Sequence, residues 1–193
     1  MEIGEITLYY GQMSSTVQLP DSVHSMLQAD SHVIPVDIRS LRKAMGQFAT
    51  GVTVITTRTS DGTMVGLTVN SFGALSLEPA LIVWSLRLSS TSLDLFQRAP
   101  RFVVNVLTDT QAEISRHFAS GASQKFESVA YAENQHGLAL LNDCSAWFEC
   151  RRVSHQLAGD HCLFIAEVER FSSSDMAPLL FHAGGYFTLG RRL

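Results

Sequence analysis

From residue 37 onward, short apolar runs alternate with turn residues, and the runs are rich in Val, Ile, Thr and aromatics. "VTVITTRTSDGTMVGLTV" (52–69) places two β-branched runs either side of Asp61-Gly62. That predicts a hairpin, because Asp-Gly accepts positive φ at a tight turn while β-branched side chains suit a pleated surface. "ALIVWSL" (80–86) is apolar but for Ser85, continuous enough to predict a third strand buried on both faces. "RFVVNVL" predicts a fourth, and "AWFECRRV", "HCLFIAEVERF" and "PLLFHAGGYFTLG" supply three or four more.

Three stretches carry helical spacing instead. In "DIRSLRKAMGQFATG", Asp37 can cap a helix, Ile38, Leu41, Met45 and Phe48 fall on one face, and Gly51 is placed to end it. "SSTSLDLFQRAP" predicts a short helix with hydroxyl caps and Pro100 just past its end. "TDTQAEISRHFA" opens with Thr108 and Gln111 at capping-box spacing. Residues 1–35 carry Pro20 and Pro35, show no sustained period, and read as an N-terminal extension, flexible or laid over a partner subunit. Residues 36–193 then form one domain. Strands joined by turns, with no regular strand–helix alternation, exclude a doubly wound parallel sheet. They predict a mainly β fold, an antiparallel barrel with inserted helices.

Composition narrows the partners. The net charge is −4, and no Lys/Arg run exceeds the pairs Arg151–Arg152 and Arg191–Arg192, so neither a nucleic acid nor an anionic membrane is expected as a partner. No apolar run reaches the roughly 18–20 residues of a membrane span. The N-terminus "MEIGEITLYYGQMSS" is acidic where a signal peptide is basic, so a soluble cytoplasmic protein is expected. Cys144, Cys150 and Cys162 form no C-x-x-C pair. On one strand, Cys144 and Cys150 would lie roughly 20 Å apart, too far for a disulfide, and buried reduced thiols are expected.

Several chemistries are missing from the sequence. There is no G-x-G-x-x-G after a strand, no G-x-x-x-x-G-K-[ST], no H-E-x-x-H or close histidine pair, and no G-x-S-x-G. No metal site is expected. What remains is small polar residues at strand ends. "GLTVNSFGALSLEP" (66–79) leaves a strand and offers Thr68, Asn70 and Ser71, followed by Phe72. Such a loop can face the polar edges of a planar heterocycle, with Phe72 over one of its faces; an ordinary polar turn is the competing reading. "RLSSTS" (87–92) gathers four hydroxyls and an arginine at a helix start, which suits a phosphate or simple capping. In "LAGDHCLFIAEVERF", Asp160 and His161 stand behind a glycine at the mouth of an apolar strand, either as a capped turn or as groups aimed at a ligand.

In their order and spacing, "FATGVTVITT", "GLTVNSFGALSLEP", "FVVNVL…Q…HFA", "KF", "LNDCSAWFEC", "GDHCLFIAEV" and "PLLFHAGGY" resemble the flavin reductase-like family, the small reductases of two-component flavin-dependent monooxygenases. The resemblance runs from about residue 38 to the end. It implies an FMN-binding split β-barrel, a homodimer, and hydride transfer from NADH or NADPH to FMN or FAD. The reduced flavin would pass to a partner monooxygenase or halogenase. By resemblance, Thr53, Val54, Asn70, Ser71 and Phe72 hold the isoalloxazine, and Ser89, Ser90 and Ser92 bind the flavin phosphate. Lys125 and Phe126 close over it, His161 stands at the nicotinamide as the catalytic residue, and Tyr186 lies nearby. An imidazole there can stabilise charge without a metal. Two other readings stay open: a flavoprotein that keeps FMN and reduces an organic substrate, or a non-catalytic flavin-binding barrel. Departures from the family pattern are Glu78 for a proline, Ala166 for a glycine, and His182 for an arginine or aromatic residue. The last leaves the choice between NADH and NADPH open.

Overall fold

The computed structural model describes residues 5–10, 13–18 and 36–191. The chain divides into two units, Met1–Arg42 and Lys43–Leu193, a boundary somewhat later than the expected 35/36. Within the first, β1 (Glu5–Tyr10) and β2 (Met13–Gln18) form an antiparallel hairpin, in a stretch where the sequence showed no sustained period. The helix α1 (Ile38–Met45) starts as predicted: Asp37 accepts the amides of Arg39 at 3.2 Å and Ser40 at 3.0 Å. It stops earlier than expected. The Gly46 carbonyl is taken by the Ala183 amide at 2.8 Å, and Gly51 belongs to the short strand β3 (Thr50–Gly51) rather than to a helix end.

The second unit is built on β4 (Thr53–Arg58), β5 (Met64–Val69), β6 (Gly73–Leu77), β7 (Ala80–Arg87), β8 (Arg101–Val106), β11 (Ala146–Ala158) and β12 (His161–Ser173). These form one antiparallel seven-stranded sheet in the order β5-β4-β8-β11-β12-β7-β6. Its two edge strands, β5 and β6, are consecutive in sequence and joined only by residues 70–72. Six strand spacings would set the edges of a flat sheet about 29 Å apart. The four steps from Val69 to Gly73 span at most about 14 Å. The sheet therefore has to curl until its edges meet at residues 70–72, and because β5 and β6 are not paired, the barrel is split. Smaller pairs surround it: β9 (Tyr131–Glu133) with β10 (Ala139–Leu141), and β13 (Leu180–His182) with β14 (Gly185–Phe187) and β3.

The barrel interior holds Trp84 stacked on Phe164 at 4.4 Å, with Phe96 and Phe102 edge-on. A second cluster lies on the outside of β4, where Val52, Val54, Leu107 and Leu141 meet Phe118 of α3 (Ala112–Ala119). As β4 is covered by both clusters, it is buried on both faces, as is β8 beside it. The same had been expected of β7, but there only Ile82, Trp84 and Leu86 are buried, while Leu81, Val83 and Ser85 lie on a half-exposed outer face. α3 packs closely on β5: a Cβ on Gly66 would lie 2.6 Å from the Phe118 ring, so only glycine fits. The capping box before α3 is present, with the Thr108 amide donating to Gln111 Oε1 at 3.0 Å, although its first turn is 3-10. All three cysteines are free and buried, and burial pushes the thiols of Cys144 and Cys150 up to about 12. Cys144 precedes β11, so the two thiols do not share a strand. Among the described residues, no helix is long and apolar enough to cross a membrane.

Candidate active site

Where the barrel edges meet, a cavity of about 570 Å³ opens. Three features bring its walls together. Register pairs His161, the first residue of β12, with Arg87, the last of β7. Ser71 accepts from the Ser85 amide and donates to the Ser85 carbonyl, both at 3.0 Å, which pins the 70–72 link to β7. The Leu88 amide donates to the Asp160 carbonyl at 2.9 Å, holding the segment after β7 against the β11–β12 turn.

That turn explains the charged pair at the strand mouth. Ala158 and His161 pair across a two-residue loop, and Gly159 takes φ +59°, which an L side chain adopts at a cost. His161 Nδ1 lies 2.7 Å from Asp160 Oδ1. The hydrogen bond from His161, with the charge of Arg87 adding to it, holds the Asp160 carboxyl below the usual carboxylate range. An ionised acceptor at Nδ1 assigns the ring proton to that nitrogen, leaving Nε2 as the polar atom of a side chain that lines the cavity.

Asn70 and Ser71 form one side of the cavity, and Ser89, Ser90 and Ser92 another. Ser92 is the N-cap of α2 (Leu93–Arg98), yet its side chain makes no capping bond. The hydroxyl expected to serve as a cap is therefore free for a ligand. Ser90 is engaged locally, its Oγ accepting the Ser92 amide at 3.3 Å. Lys125 Nζ donates to the carbonyls of Phe118 at 2.8 Å and Gly66 at 3.3 Å, which leaves one ammonium proton unspent. Burial lowers its pKa from the ordinary lysine value.

Phe126 lies beyond Lys125, edge-on to Phe118 and Tyr131, and lines an adjoining cavity. Tyr186 borders a smaller cavity of about 160 Å³ that shares Thr68, Val69 and Asn70 with the main one. Its hydroxyl is 2.7 Å from Ser115 Oγ, and the Arg116 guanidinium lies over its ring.

Besides Phe126 and Tyr186, which border the adjoining cavities, three of the residues named by resemblance line none of the three cavities. Val54 is fully buried in the outer cluster, and the Thr53 hydroxyl is committed to the Val69 carbonyl at 3.0 Å. Both sit on doubly covered β4, so their side chains cannot touch a ligand there. Phe72 packs against the barrel core, 5.7 Å from Phe148, rather than over the cavity. Other lining residues were missed: Ser85, Ser120, Gly121, and Arg87 as an individual site residue. The signal for two of them was the small-residue string "ASGAS" (119–123) after α3, where short side chains leave room for a ligand.

The profile described as "Flavin reductase like domain" matches residues 45–190. The chain is 40% identical over 151 residues to the reductase component of a flavin-dependent trigonelline monooxygenase from Acinetobacter baylyi, covering 78% of this chain and 49% of that protein. It is 38% identical over 154 residues to an FMN reductase (NADH) from Agrobacterium fabrum, covering 80% and 87%. The styrene monooxygenase flavin reductase of Pseudomonas putida S12 superposes with a TM-score of 0.73 at 36% identity, over 79% of this chain and 99% of that one. The chain spans about half the length of the first curated relatives it matches.

Proposed function

Since the chain belongs to the flavin reductase-like family, we propose that it is an NAD(P)H:flavin oxidoreductase whose reduced flavin, FMN or FAD, is passed to a separate oxygenase or halogenase component. One observation carries the reading: a polar strand exit, free hydroxyls, a part-buried ammonium and an oriented imidazole face one cavity. A planar heterocycle suits the space beside Asn70 and Ser71. A phosphate suits Ser89, Ser92 and Lys125, with the Arg87 guanidinium at the rim, since each offers a proton to an anion. When bound, flavin supplies the hydride acceptor. The protein's own part is to hold it, to orient the nicotinamide from the His161 side, and to exclude water between them. The same reading sets the enzyme in the cytoplasm, where its nucleotide donors are held.

The test is steady-state oxidation of NADH and of NADPH with riboflavin, FMN or FAD. Turnover is expected only when flavin is added, saturating in flavin, with no loss to a chelator. Absence of turnover with every flavin would contradict the assignment.

The reading includes a homodimer. Leu77, on edge strand β6, is 93% exposed and Phe48 is 77% exposed. Large apolar side chains and an open strand edge favour cover by another chain. Light scattering at micromolar concentration should give twice the 21.2 kDa of one chain; the mass of a single chain would remove this element.

A further inference from the structure

The main cavity does not end at Lys125. A second one of about 270 Å³ continues past it, and the two share Thr91, Ser92, Ser120, Gly121 and Lys125. Both run along β5 and its flanks: residues 67–71 line the first, and residues 63–66 the second. The five steps of extended chain from Met64 to Val69 alone make this a trench at least about 16 Å long. The two cavities meet where the free Ser92 hydroxyl and the Lys125 ammonium stand.

Resting on the flavin reading above, we propose that the second cavity receives the adenylate half of FAD, so that this chain selects FAD over FMN. The ring end of the flavin lies toward Asn70 and His161, and its phosphate where the two cavities meet. FMN stops there. FAD goes on through a second phosphate to a ribose and an adenine, and the trench goes on in the same direction. The one unspent Lys125 proton and the free Ser92 hydroxyl are two donors on the stretch common to both cavities, one for each phosphate of a pyrophosphate. Beyond it the walls change character. Met64, Val65 and Phe126 are half-buried and Leu95 is 37% exposed, an apolar lining with Thr63 and Ser123 at its edges. A planar base has that same division, an apolar face with polar edges.

Binding of riboflavin, FMN and FAD, followed by quenching of flavin fluorescence, tests this without turnover. FAD should bind wild-type protein about tenfold more tightly than FMN, the scale of one base stacked on an apolar wall. Met64→Ser with Leu95→Ser should remove that advantage and leave FMN and riboflavin unchanged. Ala122→Trp, which fills the trench from an exposed position, should do the same if the double variant fails to fold. Equal wild-type affinities for FMN and FAD would overturn the proposal and leave the flavin reading standing. So would variants that weaken NADH or NADPH while FAD is untouched, because the pocket would then belong to the adenylate of the hydride donor. Binding of none of the three flavins would overturn both.

Discussion

His161→Ala is expected to slow reduction of bound flavin by about 10²-fold or somewhat less, with flavin affinity near wild type. The size follows from what the side chain can do. On the proposed function, hydride would pass directly between nicotinamide and flavin with no protein nucleophile, so the imidazole would contribute orientation and charge stabilisation only. Its position is fixed from two sides, by register opposite Arg87 and by Asp160 at Nδ1. Because Asp160 is 89% exposed, it aligns the ring without burying a charge. The loss should appear in single-turnover reduction or in nucleotide affinity, while fluorescence quenching by the protein is retained. A variant that reduces flavin at the wild-type rate with unchanged nucleotide affinity would make the Asp160–His161 pair a structural turn.

Much of this architecture was legible before any coordinates, and for local reasons. The β4–β5 hairpin follows from Asp61-Gly62, and Gly62 adopts φ +88° there. The strands of the long β11–β12 hairpin were legible as apolar runs, and Gly159 marked the turn between them. The sequence was less informative where burial depends on a neighbour distant in the chain. An apolar run such as "ALIVWSL" looks the same whether one face is covered or two; among the described residues β7 is half-exposed on its outer side, while β4 is closed by α3. Strand β6, "GALSL", was hidden inside a stretch read as a loop, since its pairing with β7 is what makes it a strand. At the site, the structure brings Asn70, Ser71, Ser89, Ser90, Ser92, Lys125 and His161, all at or near strand and helix ends, to one cavity. Thr53 and Val54 were named by resemblance alone and Phe72 also from the 66–79 loop; burial on β4 and packing of Phe72 against the barrel core keep these three side chains out of it.

Ser89→Ala combined with Ser92→Ala is expected to weaken FMN binding by about tenfold or more, because hydrogen bonds to a charged group run at about 1.5–3 kcal/mol each. Neither hydroxyl has a protein partner among the described residues, so their removal leaves no buried group unsatisfied and should spare the fold. Ser90 is better left in place, since its Oγ holds the Ser92 amide. The comparison that matters is between two ligands. Riboflavin carries the same ring and lacks the phosphate. If the phosphate sits among these hydroxyls beside Lys125, quenching titrations should show FMN weakened and riboflavin bound as by wild type. Equal losses for FMN and riboflavin, or no loss for either, would contradict the placement of the flavin on which the whole account depends.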